Sequence, residues 1–309
     1  MTTHRQEQKN GHPRALLLGL LLAASGTWPP VLASTLEHIH ETGVIRFGYG
    51  GLPPFAYQAD GQVVGYSIEL CQRIARRLQK QLGLERLAIE YVLHTANKRV
   101  QMLDRGDYDI DCDTASNTSE RRRNVAFSPA IFYSATRYAT HERQQVRRFD
   151  DLKGRSVSVT RGTVSIGQVN QANRLRRLNL AIIPSDSYET AFELLGTGRV
   201  SAFIMDDIIL QTMIAGSPEP EKYRVSEETL SAPIPYGFMM RLDDRAFELV
   251  VRDALLAVLA APDMTDIYQR WFQRPIPGLN INLGRPMDAQ LMRHIANAIE
   301  HAGMPGDLP

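Results

Sequence analysis

The chain has 309 residues, too many for one small core and well suited to two domains of ordinary size. With 43% hydrophobic and 22% charged residues it reads as globular, with no low-complexity tract and no internal repeat. Its 35 basic and 34 acidic side chains leave a net charge of +1, which gives no support to nucleic-acid or membrane-surface binding, both of which want a concentrated basic patch.

The first 33 residues read as a signal peptide. Arg5, Lys9 and Arg14 give a basic start, Ala15 to Ala24 form an apolar core, and Val31-Leu32-Ala33 ends with small residues where a signal peptidase reads. The apolar run is shorter than the ~20 residues that span a bilayer. Cleavage after Ala33 and export are expected, with an uncleaved anchor as the alternative; a lipid anchor would want a Cys beside the cut. Removing three basic residues and one acidic one leaves 32 against 33, a net charge of −1. Cys71 and Cys112 lack metal-ligand spacing. Export permits a disulfide between them, and two buried free thiols fit equally well.

In chain order, Thr35 to Thr42 predicts a short helix and Val44 to Tyr49 a buried strand, broken by Gly50-Gly51-Leu52-Pro53-Pro54. Asp60-Gly61 predicts a hairpin turn between Ala56-Tyr57 and Val63-Val64. A helix opens near Gly65-Tyr66-Ser67, with Ile68, Cys71, Ile74, Ala75 and Leu78 recurring at three and four. Leu87 to Leu93 is a second strand, His94 to Arg99 leads a helix ending at Arg105-Gly106, and Tyr108 to Cys112 is a third strand. This alternation predicts a parallel sheet with helices on its faces and a ligand beyond the carboxyl ends of the strands. Phe127 to Tyr138 reads as a crossing to a second unit. There, strands at Ser156 to Val159, Ala181 to Pro184 and Val200 to Met205 alternate with helices through Leu178 and from Ser187 to Leu195. Gly162-Thr163 at a helix start is either an anion seat or an ordinary cap. Asp206-Asp207 after a strand divide between binding a cation and capping a helix. Pro233 to Tyr236 reads as the return crossing. Helices follow over Asp244 to Ala260, Asp263 to Phe272 and near Met287 to His301.

The stretch Asp109 to Ser128 carries the chemistry. Its strand is expected to stop in a crowd of Thr114, Ser116, Asn117, Thr118 and Ser119, followed at once by Arg121, Arg122 and Arg123. Neutral donors and a guanidinium fork at a strand end describe a carboxylate site. At roughly 100° per residue three consecutive arginines cannot share one direction, so one inward and two outward is expected.

Taken together, Val63-Val64-Gly65-Tyr66-Ser67, Asp150 to Gly154 with Thr160 to Ser165, Ala202 to Asp207, and Arg270-Trp271-Phe272 before Pro275-Ile276-Pro277 resemble the family-three solute-binding proteins of bacterial amino-acid ABC transporters, nearest to the glutamate/aspartate-binding members. The likeness runs from about Thr42 to the tail. It implies an α/β, two-lobed periplasmic binding protein fold (type II) with the ligand in the cleft: residues 34–134 plus 235–275 as lobe 1, 135–234 as lobe 2, and 276–309 as a tail packing on the lobes. It implies that Arg121, with Ser116 and Thr163, grips an α-carboxylate, that Asp206 and Thr114 take an α-ammonium, and that Tyr66 walls the ligand. Arg99 matches an arginine that meets an acidic side chain. A second arginine of that pattern falls in the Gly50-Gly51 loop and is missing, a serine is Ala96, and a histidine falls at about Tyr188. The implied partners are a small amino acid and a membrane permease; a monomer is expected, with no cofactor, metal, nucleic acid or catalytic residue. The competing reading is a periplasmic cyclohexadienyl dehydratase on the same fold, in which Glu69, Glu189 or Asp207 would supply an acid or base.

Overall fold

The computed structural model describes residues 1–3 and 34–302, so the signal-peptide reading lies outside the described residues. No helix among the described residues is long and apolar enough to cross a membrane.

The first lobe begins with α1 (Thr35–Thr42), capped by Ser34 and closed by the left-handed Gly43, and β1 (Val44–Tyr49). The hairpin β2 (Tyr57–Ala59) and β3 (Gln62–Val64) turns at Asp60-Gly61, both at positive φ, as that dipeptide favours. Next come α2 (Tyr66–Gln81), β4 (Ala88–Leu93), α3 (Arg99–Asp104) and β5 (Ile110–Ser116). The predicted stripe of α2 is buried from Ile68 to Leu78, each large apolar side chain contributing about 1.5–3 kcal/mol. Because α2 packs over β5, the buried faces of Cys71 and Cys112 meet, and the two are joined in a disulfide with Cα atoms 6.2 Å apart. The free-thiol alternative is thereby closed.

The chain then runs through β6 (Val125–Phe127) and β7 (Phe132–Ser134) to β8 (Thr136–His141), β9 (Ser156–Thr160), α4 (Ser165–Arg176), β10 (Ala181–Ser185), α5 (Tyr188–Gly196), β11 (Ala202–Asp206), α6 (Asp207–Ala215) and β12 (Tyr223–Val225). It returns as β13 (Ile234–Arg241), followed by α7 (Arg245–Leu259), α8 (Met264–Phe272) and α9 (Ala289–Ala302).

Two sheets result. The first has the order β4-β1-β5-β13-β6, with β7 also paired to β13; the second has the order β10-β9-β11-β8-β12. In each, three parallel strands come first and an antiparallel strand closes the run. The purely parallel expectation is therefore corrected: β13 and β8 arrive from the other lobe and enter running backwards. The strand predicted over Tyr108 to Cys112 also runs further. Thr114 and Ser116 lie inside β5 rather than in the turn after it, because Tyr236 and Gly237 of β13 pair with Ser116 and Ala115.

The crossings lie side by side. Ile234 pairs with Ser134, and the Asp207 amide donates to the carbonyl of Ala135 at 2.9 Å. The segment after α8 runs across both lobes. Tyr57 donates to the Pro277 carbonyl at 2.6 Å, while Arg285 donates to Asp207 at 3.0 Å and to Gln211 at 3.1 Å.

Candidate functional site

The carboxyl ends of β1, β4 and β5 converge on one rim, where an α/β sheet offers its ligand site. Strand alternation puts Asp111 and Asp113 on one face of β5, opposite Cys112, and Asp109 directly precedes the strand. All three are buried, and they meet different fates. Asp109 accepts from Arg46 Nη2 at 2.7 Å and from the Arg46 amide at 2.8 Å. Asp111 is hydrogen-bonded to His94 Nε2 at 2.8 Å. Neither oxygen of Asp113 has a hydrogen-bond partner among the described residues.

Arg99, the first residue of α3, is 2% exposed and reaches into this group. Its Nη1 donates to the Thr114 carbonyl at 2.9 Å and lies 3.9 Å from Asp111; its Nη2 lies 3.7 Å from Asp113. Burial opposes the Arg99 charge, but Tyr188, Asp111 and Asp113 hold its pKa above the ordinary arginine value. Burial likewise opposes the Asp111 charge, yet His94 and the Arg99 and Arg121 guanidiniums outweigh it and hold that carboxyl below its ordinary value. For Asp113 the balance tips the other way. Burial raises its pKa and outweighs the Arg99 guanidinium beside it, with the Asp111 charge adding to the rise and His94 opposing it. His94, Asp111 and Asp113 offer ligand atoms within 4.8 Å of one another, a spacing that would suit a cation. The Arg99 guanidinium already sits beside both carboxylates, so a metal would meet a resident positive charge.

Of the three consecutive arginines Arg121 is half-buried and Arg122 and Arg123 are exposed, the division that helical geometry predicts. Arg121 donates to the Ser116 carbonyl at 3.2 Å and, across the cleft, to the Gly162 carbonyl at 2.7 Å. Burial and the nearby Arg99 push its pKa down to about 10. No carboxylate among the described residues forms a salt bridge with it. Beside it lies an open cavity of about 650 Å³, lined by Thr118, Ser119, Arg121, Gly162, Thr163 and Arg174 among others.

From the second lobe, Asp206 ends β11 and is 4% exposed. It accepts from the Tyr236 hydroxyl and from Thr136 Oγ1 at 3.1 Å. Burial raises its pKa against the lowering effect of those hydrogen bonds. Tyr188 begins α5 and is buried, its pKa pushed up to about 12 by burial, with Arg99, Asp113, Asp206 and Arg121 as its charged neighbours. Thr163 lies in the turn before α4, which starts at Ser165, and its hydroxyl donates to the Thr160 carbonyl at 2.7 Å.

The structure thus brings Arg99, Thr114, Ser116, Arg121, Thr163, Tyr188 and Asp206 to the facing rims of the two lobes. Tyr66 is the exception. It is fully buried, its hydroxyl donates to the Ile131 carbonyl at 2.8 Å, and its ring packs edge-on against Phe55, Tyr268 and Phe272. Its place is the core of the first lobe, because an aromatic at the start of α2 points into the sheet–helix interface. Asp207 is held by Ser134, Arg285 and Arg137 at the crossing, which leaves Asp206 as the member of the pair placed to meet a cation. Neither aspartate makes a side-chain cap on α6. The carboxylates considered for catalysis are dispersed: Glu69 accepts from Arg270 and from Trp271, each at 2.8 Å, Asp207 is tied at the crossing, and Glu189 is exposed. Sequence reasoning missed His94, Asp111, Asp113 and Tyr236. The acidic alternation along β5 was the available signal, since an acid at every second position of a central strand has no solvent face to occupy.

The two lobes touch where Gly162 meets the loop after β4. Gly162 has φ +78°, and a Cβ there would lie 2.5 Å from the Ala96 carbonyl oxygen and from the Asn97 Cα. Gly162→Ala is expected to strain the backbone in every state by roughly 1–2 kcal/mol. It should also weaken ligand binding by on the order of tenfold, because the clash exists only while the rims are together. Titration calorimetry reads the second effect; unchanged affinity would mean that the bound state keeps these loops apart.

The family model for bacterial extracellular solute-binding proteins, family 3, matches residues 45–274. This chain belongs to that family. The L-glutamate/L-aspartate-binding protein of Pseudomonas aeruginosa is 34% identical over 294 residues, which cover 93% of this chain and 97% of the relative. The glutamate/aspartate import solute-binding protein of Escherichia coli K12 is 32% identical over 271 residues, 87% of this chain and 89% of the relative. Among solved structures, a solute receptor for L-cysteine of Neisseria gonorrhoeae superposes with a TM-score of 0.69 at 22% identity, covering 79% of this chain and 96% of the receptor. That similarity speaks to the fold, the two-lobed type II architecture of the solute-binding family.

Proposed function

We propose that this solute-binding protein is exported to the periplasm, binds a free α-amino acid between its lobes and presents it to the permease of an ABC importer. The observation that carries the reading is the opposition of Arg121, a guanidinium without a carboxylate partner, and Asp206, a buried carboxylate, on facing rims. A zwitterion needs donors at one end and an acceptor at the other. In this reading Arg121, Ser116 and Thr163 hold the α-carboxylate, Asp206 and Thr114 take the α-ammonium, and Arg99 and Tyr188 meet the side chain. The ligand class is glutamate, aspartate or a close polar relative, as the names of the two binding-protein relatives suggest. Lobe 1 comprises 34–134 and 235–275, lobe 2 comprises 135–234, and the lobes close as near-rigid bodies about the paired crossings.

A thermal-shift screen of the natural amino acids on the protein lacking residues 1–33 tests the reading. A ligand at 100 times its Kd should add about 2.7 kcal/mol of stability by mass action. Small-angle scattering with the best ligand should show a smaller radius of gyration. A flat screen, or an unchanged radius under saturating ligand, would count against the clamp.

A further inference from the structure

Around Arg99 and the acidic face of β5 the fold leaves several polar atoms without a hydrogen bond. Among the described residues, Arg99 Nε, both oxygens of Asp113, Asp111 Oδ2 and His94 Nδ1 are buried without a hydrogen-bond partner. Such atoms are costly in a folded protein unless something meets them. Asp113 is also built in: it is fully buried, and a Cβ at Gly50 would lie 2.3 Å from its Oδ2. The bare glycine backbone is therefore what leaves this carboxylate its position. Beside Tyr188, Arg99 thus carries one donor without an acceptor and Asp113 two acceptors without a donor.

Three kinds of side chain can be weighed against that arrangement. A carboxylate would satisfy Arg99 Nε but would stand as a third anion beside Asp111 and Asp113, with the Arg99 guanidinium already adjoining both. A cation would meet Asp113 but face Arg99 and leave Nε without an acceptor. A primary carboxamide supplies one carbonyl oxygen and two N–H donors at its tip, and so answers both needs without adding charge.

Resting on the amino-acid clamp proposed above, we propose that the side-chain subsite is built for a carboxamide. The ligand is then glutamine or asparagine, its carbonyl accepting from Arg99 Nε and its NH2 donating to Asp113. Asp113 is the specificity-determining residue, and Gly50 makes its position possible.

Calorimetry on the protein lacking residues 1–33 with glutamine, asparagine, glutamate and aspartate tests this, in the wild type and in Asp113→Asn and Asp113→Ala. In the wild type one of the amides should bind at least tenfold tighter than its acid. Asp113→Asn, nearly isosteric, removes the negative charge and should move the amide-to-acid ratio at least tenfold towards the acid. Asp113→Ala should move it the same way; because both variants remove the carboxylate 3.7 Å from the Arg99 guanidinium, a thermal melt of each unliganded variant first shows that it is folded. A wild type that prefers glutamate or aspartate, or a ratio that both variants leave unchanged, overturns the carboxamide subsite while leaving the clamp standing. Binding of none of the natural amino acids overturns both. Repeating the thermal shift with calcium, magnesium or zinc chloride and then EDTA adds one more outcome: a metal-dependent rise abolished by Asp113→Asn would make the cluster a cation site and end the proposal.

Discussion

Arg121→Ala and Asp206→Ala should each lower amino-acid affinity by about thirty-fold or more, while Arg122→Ala and Arg123→Ala leave it nearly unchanged. Truncating one partner of a buried charge pair leaves the opposite charge unpaired, which costs roughly 2–5 kcal/mol. The contrast among neighbours gives the test its force. Arg122 and Arg123 carry the same charge on the same short helical turn, so a general loss of positive potential would affect all three variants alike. Only Arg121 is turned inward to the Ser116 and Gly162 carbonyls. Asp206 differs in being tied to Tyr236 and Thr136, so Asp206→Asn, which keeps a hydrogen-bonding shape, should be measured beside the alanine variant. Equal effects across the three arginines by calorimetry would place the carboxylate seat elsewhere.

The double variant Cys71→Ala, Cys112→Ala should lose about 4 kcal/mol of stability at 25 °C. The bridge closes a loop of 41 residues, and the chain-entropy relation for a loop of that size gives about 4 kcal/mol, acting through the unfolded state. Both cysteines are fully buried, so alanine avoids the unsatisfied hydroxyl that serine would bring. Urea denaturation of the variant against the oxidised and the reduced wild type measures the effect, and a shift below about 1 kcal/mol would show that the unfolded chain is constrained by other means. The bridge also pins α2 against β5, the strand carrying Asp111, Asp113, Thr114 and Ser116. Ligand affinity in the same variant therefore reports whether that strand depends on the bridge for its position.

Local signals were legible where the structure is local. The stripe of α2, the Asp60-Gly61 turn and the inward turn of a single arginine follow from periods of two and 3.6 and from turn chemistry. The non-local pairings were not. β12 is three residues long, and Thr114 and Ser116 read as turn formers until β13, more than a hundred residues later, lies down beside them. Tyr66 was misplaced because a motif position carries no direction, and its side chain points into the aromatic cluster. Asp111 and Asp113 were in plain view, but an alternating acidic strand ordinarily has a wet face. Only the helix, the disulfide and the neighbouring strands around β5 reveal that this one has none.

The side-by-side crossings bear on how affinity arises. A single residue, Ala135, separates β7 from β8, and eight residues, 226–233, separate β12 from β13. In the proposed clamp Arg121 and Asp206 stand on opposite sides of those links. An amino acid caught by one end is then met by the second arm at an effective concentration that the links set, higher the less freedom they leave the two rims. The molecule behaves as a chelator whose two arms are assembled in advance, and lengthening the 226–233 link would dilute the second arm while touching no residue that faces the ligand.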